Sequence, residues 1–244
     1  MKTNFLTVVA LIATLNMAVA QTAADVLKKM DEVIYASKDQ SISIKMTVFD
    51  KNGKSSLREA KTLQKGNDKR IFRFTSPAAQ AGIGILSLPG DVMYLYMPAY
   101  EKERRIASSA KNQGFAGTDF NYDDMESKLY QEKYDAVSLK TENNNWVLEL
   151  KPKSTNKTDY GKLIVTVGKD NNYPRKVQYF DKNGNQIKEL NNTKIEKKGN
   201  YWVATLFEMK DIKKGTKTQM EFTSVEYDKG LKDDDFTVRK LIQK

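Results

Sequence analysis

The 244 residues include no cysteine and no histidine. Without cysteine there is no disulfide, no thiolate metal site and no cysteine nucleophile. The lipid-attachment cysteine that a bacterial lipoprotein needs behind its leader is missing too. Without histidine, a Ser-His-Asp triad, imidazole acid–base chemistry and a His-ligated zinc are excluded. Carboxylate chemistry and a Ser/Lys pair stay open. Prolines number only five, and no Pro/Ser linker, composition break or repeat divides residues 21–244. After the first twenty residues there is no second long apolar run, so no mature transmembrane span is expected.

What is present starts with a leader. Lys2 gives a short positive start, Phe5–Leu15 is a short apolar core, and Ala18-Val19-Ala20 is a small-x-small cleavage site. Asn16 interrupts the apolar stretch, which is too short for an anchor. The pattern predicts export, cleavage after Ala20 and a mature chain from Gln21 that carries no lipid anchor. The rest is globular in composition, 39% hydrophobic and 10% aromatic. The formal charge is +10 and loses only Lys2 with the leader. Basic charge favours anionic partners, but an exported protein seldom meets nucleic acid. A solvated basic surface, attracted to anionic membranes, is the reading that fits.

Periodicity gives the elements. Over Thr22–Ser37, Val26, Met30 and Val33, with Leu27 and Ile34 beside them, form one apolar helical stripe. From Gln40 the period becomes two: Ile42, Ile44, Met46 and Val48 alternate with Ser43, Lys45 and Thr47, until Asp50-Lys51-Asn52-Gly53 turns the chain. Alternating segments and turn signals recur to Tyr227, and a short helix is expected over Glu126–Gln131. The end is a closing turn whose Phe236 docks into the body. About eleven strands in hairpin order, one helix before them and one inserted after the sixth, predict a single α+β domain over 21–244. Such a sheet is large and antiparallel, and it must curl to bury its apolar face.

The most informative stretch is Gly82–Met125, GIGILSLPGDVMYLYMPAYEKERRIASSAKNQGFAGTDFNYDDM. Ile83–Leu88 and Val92–Met97 flank the turn pair Pro89-Gly90. Met93, Leu95 and Met97 point one way, Val92, Tyr94 and Tyr96 the other, as in a strand covered on both faces. The ordered pieces YLYMP, RRI, the small-residue loop and G-x-DF-x-YDDM closely resemble the outer-membrane lipoprotein-sorting proteins, the LolA-like family of periplasmic carriers. The resemblance is strongest over roughly residues 70–130 and looser to the C-terminus. It implies an unclosed β-barrel with helices over the concave side.

Each candidate site has two readings. Asp119, Asp123, Asp124 and Glu126 lack the spacing and central glycine of a calcium loop, whereas Asn121 is placed to cap a helix whose first turn holds Asp123 and Asp124. Lys102, Arg104 and Arg105 suit a lipid head group or a partner's acidic patch, and equally a strand edge protected by charge. Read alone, Met93, Leu95 and Met97 are filled core. The resemblance makes them, with Leu86, Phe115 and Phe120, candidates for a lipid-binding cavity, Phe115 and Phe120 forming its lid; the alternative is a fixed loop completing the core.

The resemblance further implies a periplasmic carrier, not an enzyme, that shields acyl chains of lipoproteins or other lipids on the way to the outer membrane. It needs no cofactor and no metal. Cargo and membrane-bound transfer partners are expected, nucleic acid is not, and the chain is read as a monomer. A lipid-binding module of a membrane exporter and a carboxylate-dependent hydrolase remain as alternatives.

Overall fold

The structure, a computed structural model, describes residues 21–243. The expected leader and its cleavage site lie outside the described residues. Helix α1 (Ala23–Ile34) begins where Thr22 accepts from the Asp25 N–H and the Asp25 carboxylate accepts from the Thr22 N–H, a reciprocal cap. It buries Val26, Leu27 and Met30 and stops short of the expected Ser37.

Six strands follow: β1 (Asp39–Phe49), β2 (Ser55–Lys65), β3 (Lys69–Ser76), β4 (Gly84–Leu88), β5 (Val92–Met97) and β6 (Lys102–Arg105). A crossing segment then holds two single-turn helices, α2 (Tyr122–Met125) and α3 (Tyr130–Lys133). Of the expected helix over Glu126–Gln131 only Tyr130 and Gln131 are helical: Glu126 leaves α2 with extended backbone (φ −66°, ψ 138°), and residues 126–129 are not helical. Seven more strands complete the sheet: β7 (Tyr134–Glu142), β8 (Asn145–Pro152), β9 (Tyr160–Gly168), β10 (Pro174–Asp181), β11 (Gln186–Lys198), β12 (Tyr201–Asp211) and β13 (Thr216–Tyr227). A terminal turn, α4 (Val238–Ile242), ends the fold. The strands number thirteen rather than about eleven.

All belong to one antiparallel sheet in the order β6-β5-β4-β3-β2-β1-β13-β12-β11-β10-β9-β8-β7. The first and last strands, β1 and β13, pair at its centre, and β6 and β7 are unpaired edges. Bulges in the β1/β13 and β11/β12 ladders add bend and twist. The sheet curls without closing, as expected.

Both faces carry a core, the convex one over β3–β5. On the concave face Ile42, Ile44 and Met46, Phe72 and Phe74, Leu148 and Leu150, Val165 and Val167 meet α1 and the crossing segment in the main core. On the convex face Ile71, Leu86 and Tyr96 lie beneath Phe236 and Leu241. Phe236 thus docks as the pattern predicts. Arg73 donates to the Leu241 carbonyl at 2.7 Å and to that of Lys240, satisfying carbonyls that the end of α4 leaves free.

Candidate functional site

The crossing segment, residues 106–133, links one edge of the sheet to the other and so must traverse the concave face. Its tip is a small hairpin. Gly114 bridges Asn121, the Phe115 N–H donates to the Phe120 carbonyl at 2.8 Å, and Ala116 and Gly117 turn at positive φ. The tip is tied to the sheet on two sides. Arg58 donates to the Ala116 carbonyl at 2.6 Å, while the buried Asp119 carboxylate accepts from Thr218 at 2.7 Å and from Thr216. These bonds hold Phe115, 1% exposed, among aromatics. Its ring stacks on Phe74 at 5.6 Å and meets Phe72 edge-on at 5.6 Å.

Beyond the tip lies a buried polar layer. Asn121 caps α2, and Asp124 returns the bond to the Asn121 N–H. Lys133 contacts Asp123 at 2.5 Å and Glu126 at 3.4 Å, and Glu126 also meets Lys111 at 2.6 Å. Asp124 accepts from Lys188 and the Tyr160 phenol, both at 3.2 Å. Three carboxylates thus share three ammonium groups, which offsets the cost of burying them. Burial alone would lower the Lys133 pKa, but Asp123 and Glu126 outweigh it and hold it above the ordinary lysine value. The acidic block is a cap and an ion-pair layer; among the described residues no His/Cys/Asp/Glu group of three is arranged to hold a metal.

The crossing segment leaves part of the concave face unfilled. A cavity of about 290 Å³ remains between the sheet and the cover formed by α1, α2 and α3. Its apolar wall includes Ile42, Ile44, Phe72, Met209, Met220 and Phe222. Asp123, Asp124, Glu126 and Lys133 face it from the polar layer. Tyr201, Trp202 and Tyr227 stand at the strand ends, where it reaches the rim. Tyr134, Tyr160 and Tyr179 also contribute, and burial raises their pKa values well above normal, so these phenols stay neutral. The cover is joined through Asp31 of α1, whose carboxylate accepts from the Tyr130 and Gln131 N–H groups, both at 2.9 Å. Burial raises the Asp31 pKa to about 6, against the opposing pull of those two hydrogen bonds.

Of the six residues singled out for a cavity, only Phe120 is on this wall, edge-on to Phe207 at 6.5 Å. Met93 and Leu95 are buried in the main core and Met97 packs half-buried against it. Leu86 points to the convex face, under Phe236 and Leu241. Lys102, Arg104 and Arg105 are exposed on the edge strand β6 and make no ion pair among the described residues. The wall residues Ile42, Ile44 and Met209 are legible as inward-facing strand positions. Nothing local in the sequence marks them as the uncovered ones.

No curated protein matches the chain significantly. A family described as an uncharacterized protein matches residues 66–243. Among solved structures, a DUF1329 family protein from Desulfovibrio piger is 26% identical with a TM-score of 0.83, covering 90% of this chain and 97% of its own. A domain assigned to outer membrane lipoprotein sorting, from Vibrio parahaemolyticus, is 26% identical with a TM-score of 0.78, covering 91% and 100%. A LolA superfamily protein from Nitrosomonas europaea shares the fold at 20% identity and a TM-score of 0.75, covering 91% and 100%. The unclosed sheet agrees with these structures: the chain belongs to the family whose model covers residues 66–243, and its fold is LolA-like.

Proposed function

We propose that the protein is a periplasmic carrier that shields the acyl chains of lipoproteins or other lipids during transfer towards the outer membrane. The observation that carries this reading is the unfilled apolar pocket under a cover of short helices. Water makes such a carrier necessary. At about 0.8 kcal/mol per CH2, exposing a chain of on the order of 16 carbons costs roughly 10 kcal/mol or more. A cavity of about 290 Å³ is at the small end of ligand sites. It takes one chain or part of one as it stands, and a multiply acylated cargo requires the cover to move. The two neighbours with lipoprotein-sorting and LolA names support the same reading. The role is one of binding, not catalysis.

Native mass spectrometry of the exported protein as purified tests it. The expected result is a bound species of lipid mass that is released unaltered on denaturation. A chain that is empty as isolated, and that takes up no fluorescent fatty acid, would overturn the reading. Lipoprotein sorting that survives deletion of the gene, alongside bound lipid, would point instead to an exporter module.

A further inference from the structure

The cavity wall carries six formally charged side chains: Arg70, Asp123, Asp124, Glu126, Lys128 and Lys133. Five of them are neutralised. Asp123 and Glu126 pair with Lys133, Asp124 pairs with Lys188, and Lys128 pairs with Asp91 at 2.6 Å. Arg70 is the exception: among the described residues it has no carboxylate partner. Its Nε and Nη2 both donate to the Gln64 side-chain oxygen, at 3.0 and 2.6 Å, and its Nη1 donates to the Met125 carbonyl at 3.3 Å. All of these acceptors are neutral.

A guanidinium offers five donors in a planar fork and never loses its charge. Three are used here, so two remain, together with the whole of the charge. Gln64 and Met125 fix the fork in place before any ligand arrives, which lowers the ordering cost of binding. Phe72, two residues along the same strand, and Ile42 on β1 supply apolar wall beside it. Charge-assisted, two-pronged bonds to carboxylate or phosphate are what such a fork makes best.

Resting on the carrier reading above, we propose that Arg70 is the head-group site of the cavity, and that its preferred ligand is an amphiphile with an anionic head, carboxylate or phosphate, at Arg70 and its chain along the apolar wall. Gln64 positions the guanidinium and keeps it without a counter-ion.

The test uses the mature chain and four probes: dodecanoate, dodecyl phosphate, 1-dodecanol and inorganic phosphate. Each displaces a fluorescent fatty acid in solution at pH 8. The proposal expects the two anionic amphiphiles to bind at least about tenfold more tightly than dodecanol, and inorganic phosphate at least tenfold more weakly than dodecyl phosphate. Arg70→Gln should remove the preference while dodecanol binding holds, and Arg70→Lys should keep part of it. Gln64→Glu guards against a misfolded Arg70 variant. It places a carboxylate where the amide oxygen already meets the fork, at the loss of the Gln64 amide bond to the Gly66 carbonyl (3.0 Å), so it should abolish the anion preference while dodecanol binding holds. Equal affinity for all three amphiphiles, or a preference that survives both Arg70→Gln and Gln64→Glu, overturns the head-group site alone. Inorganic phosphate binding as tightly as dodecyl phosphate overturns the amphiphile and leaves a free-anion site. Failure of every amphiphile, dodecanol included, overturns the carrier reading and this proposal together.

Discussion

Two parts of the concave face have the same kind of sequence and opposite fates. Over β4, β5 and the end of β3, Phe74, Ile85, Met93 and Leu95 are buried in a core into which Phe115 is inserted. Over β1, β12 and β13, Ile42, Ile44, Met209, Met220 and Phe222 face open space under the cover. Alternating apolar residues specify an inward face in both places. What separates core from cavity is the crossing segment, which puts an aromatic plug on one part and only a polar layer and short helices over the other. A cavity in this fold is a property of the cover more than of the strands.

The largest expected effect is at the plug. Phe115→Ala removes a ring with almost no exposure and should cost about 3–5 kcal/mol in urea unfolding. A loss below about 1 kcal/mol would mean that the plugged half is not tightly filled. Next is the polar layer under the cover. Lys133→Met strands Asp123 and Glu126 in a buried site, where breaking a buried pair costs about 3–5 kcal/mol. Lys111 still serves Glu126, so the lower end is expected, and a neutral outcome would contradict the ion-pair account.

A smaller effect tests the joint of the cover. Burial holds the pKa of the Asp31 carboxyl at about 6 in the folded state, against an ordinary 3.8, so between these values the folded state holds the extra proton. Stability therefore rises as pH falls through 6 towards 4, and it is lowest where the buried carboxylate is ionised. Wild type should gain about 2 kcal/mol relative to Asp31→Asn between pH 7 and pH 4. A gain in the opposite direction, read from paired urea melts, would show that the two backbone hydrogen bonds outweigh burial. The smallest stability change is expected at the cavity wall. Phe222 is half-buried, with one edge-on contact to Phe207 at 5.3 Å. Phe222→Ala should cost only about 1 kcal/mol while weakening fatty-acid binding. A loss as large as that of Phe115→Ala would erase the distinction between the two parts.

Much of the fold was legible in the sequence, because period-two patterning and Asn/Asp/Gly turns act locally. Asp50-Lys51-Asn52-Gly53, for instance, closes the β1–β2 hairpin through Asp50, which accepts from the Asn52 and Lys54 N–H groups. The cap at Asn121 and the docking of Phe236 were readable for the same reason. The site was not. Met93 and Leu95 stand in the most informative stretch, yet Phe115, twenty or more residues on, seals their part of the face. Leu86 sits at an odd–even step that sends it outward. Arg70 looks like any strand cation until its neighbours are seen to hold no carboxylate. Each of these depends on contacts between residues far apart in the chain.

The central claim is that the chain of a bound lipid lies against β1, β12 and β13 and not against β4 and β5. Photo-crosslinking with a fatty acid carrying a diazirine along its chain, followed by peptide mapping, tests this directly. Adducts on Ile42, Ile44, Met209, Met220 or Phe222 are the predicted result. Adducts confined to Met93, Leu95 or Phe115 would contradict it.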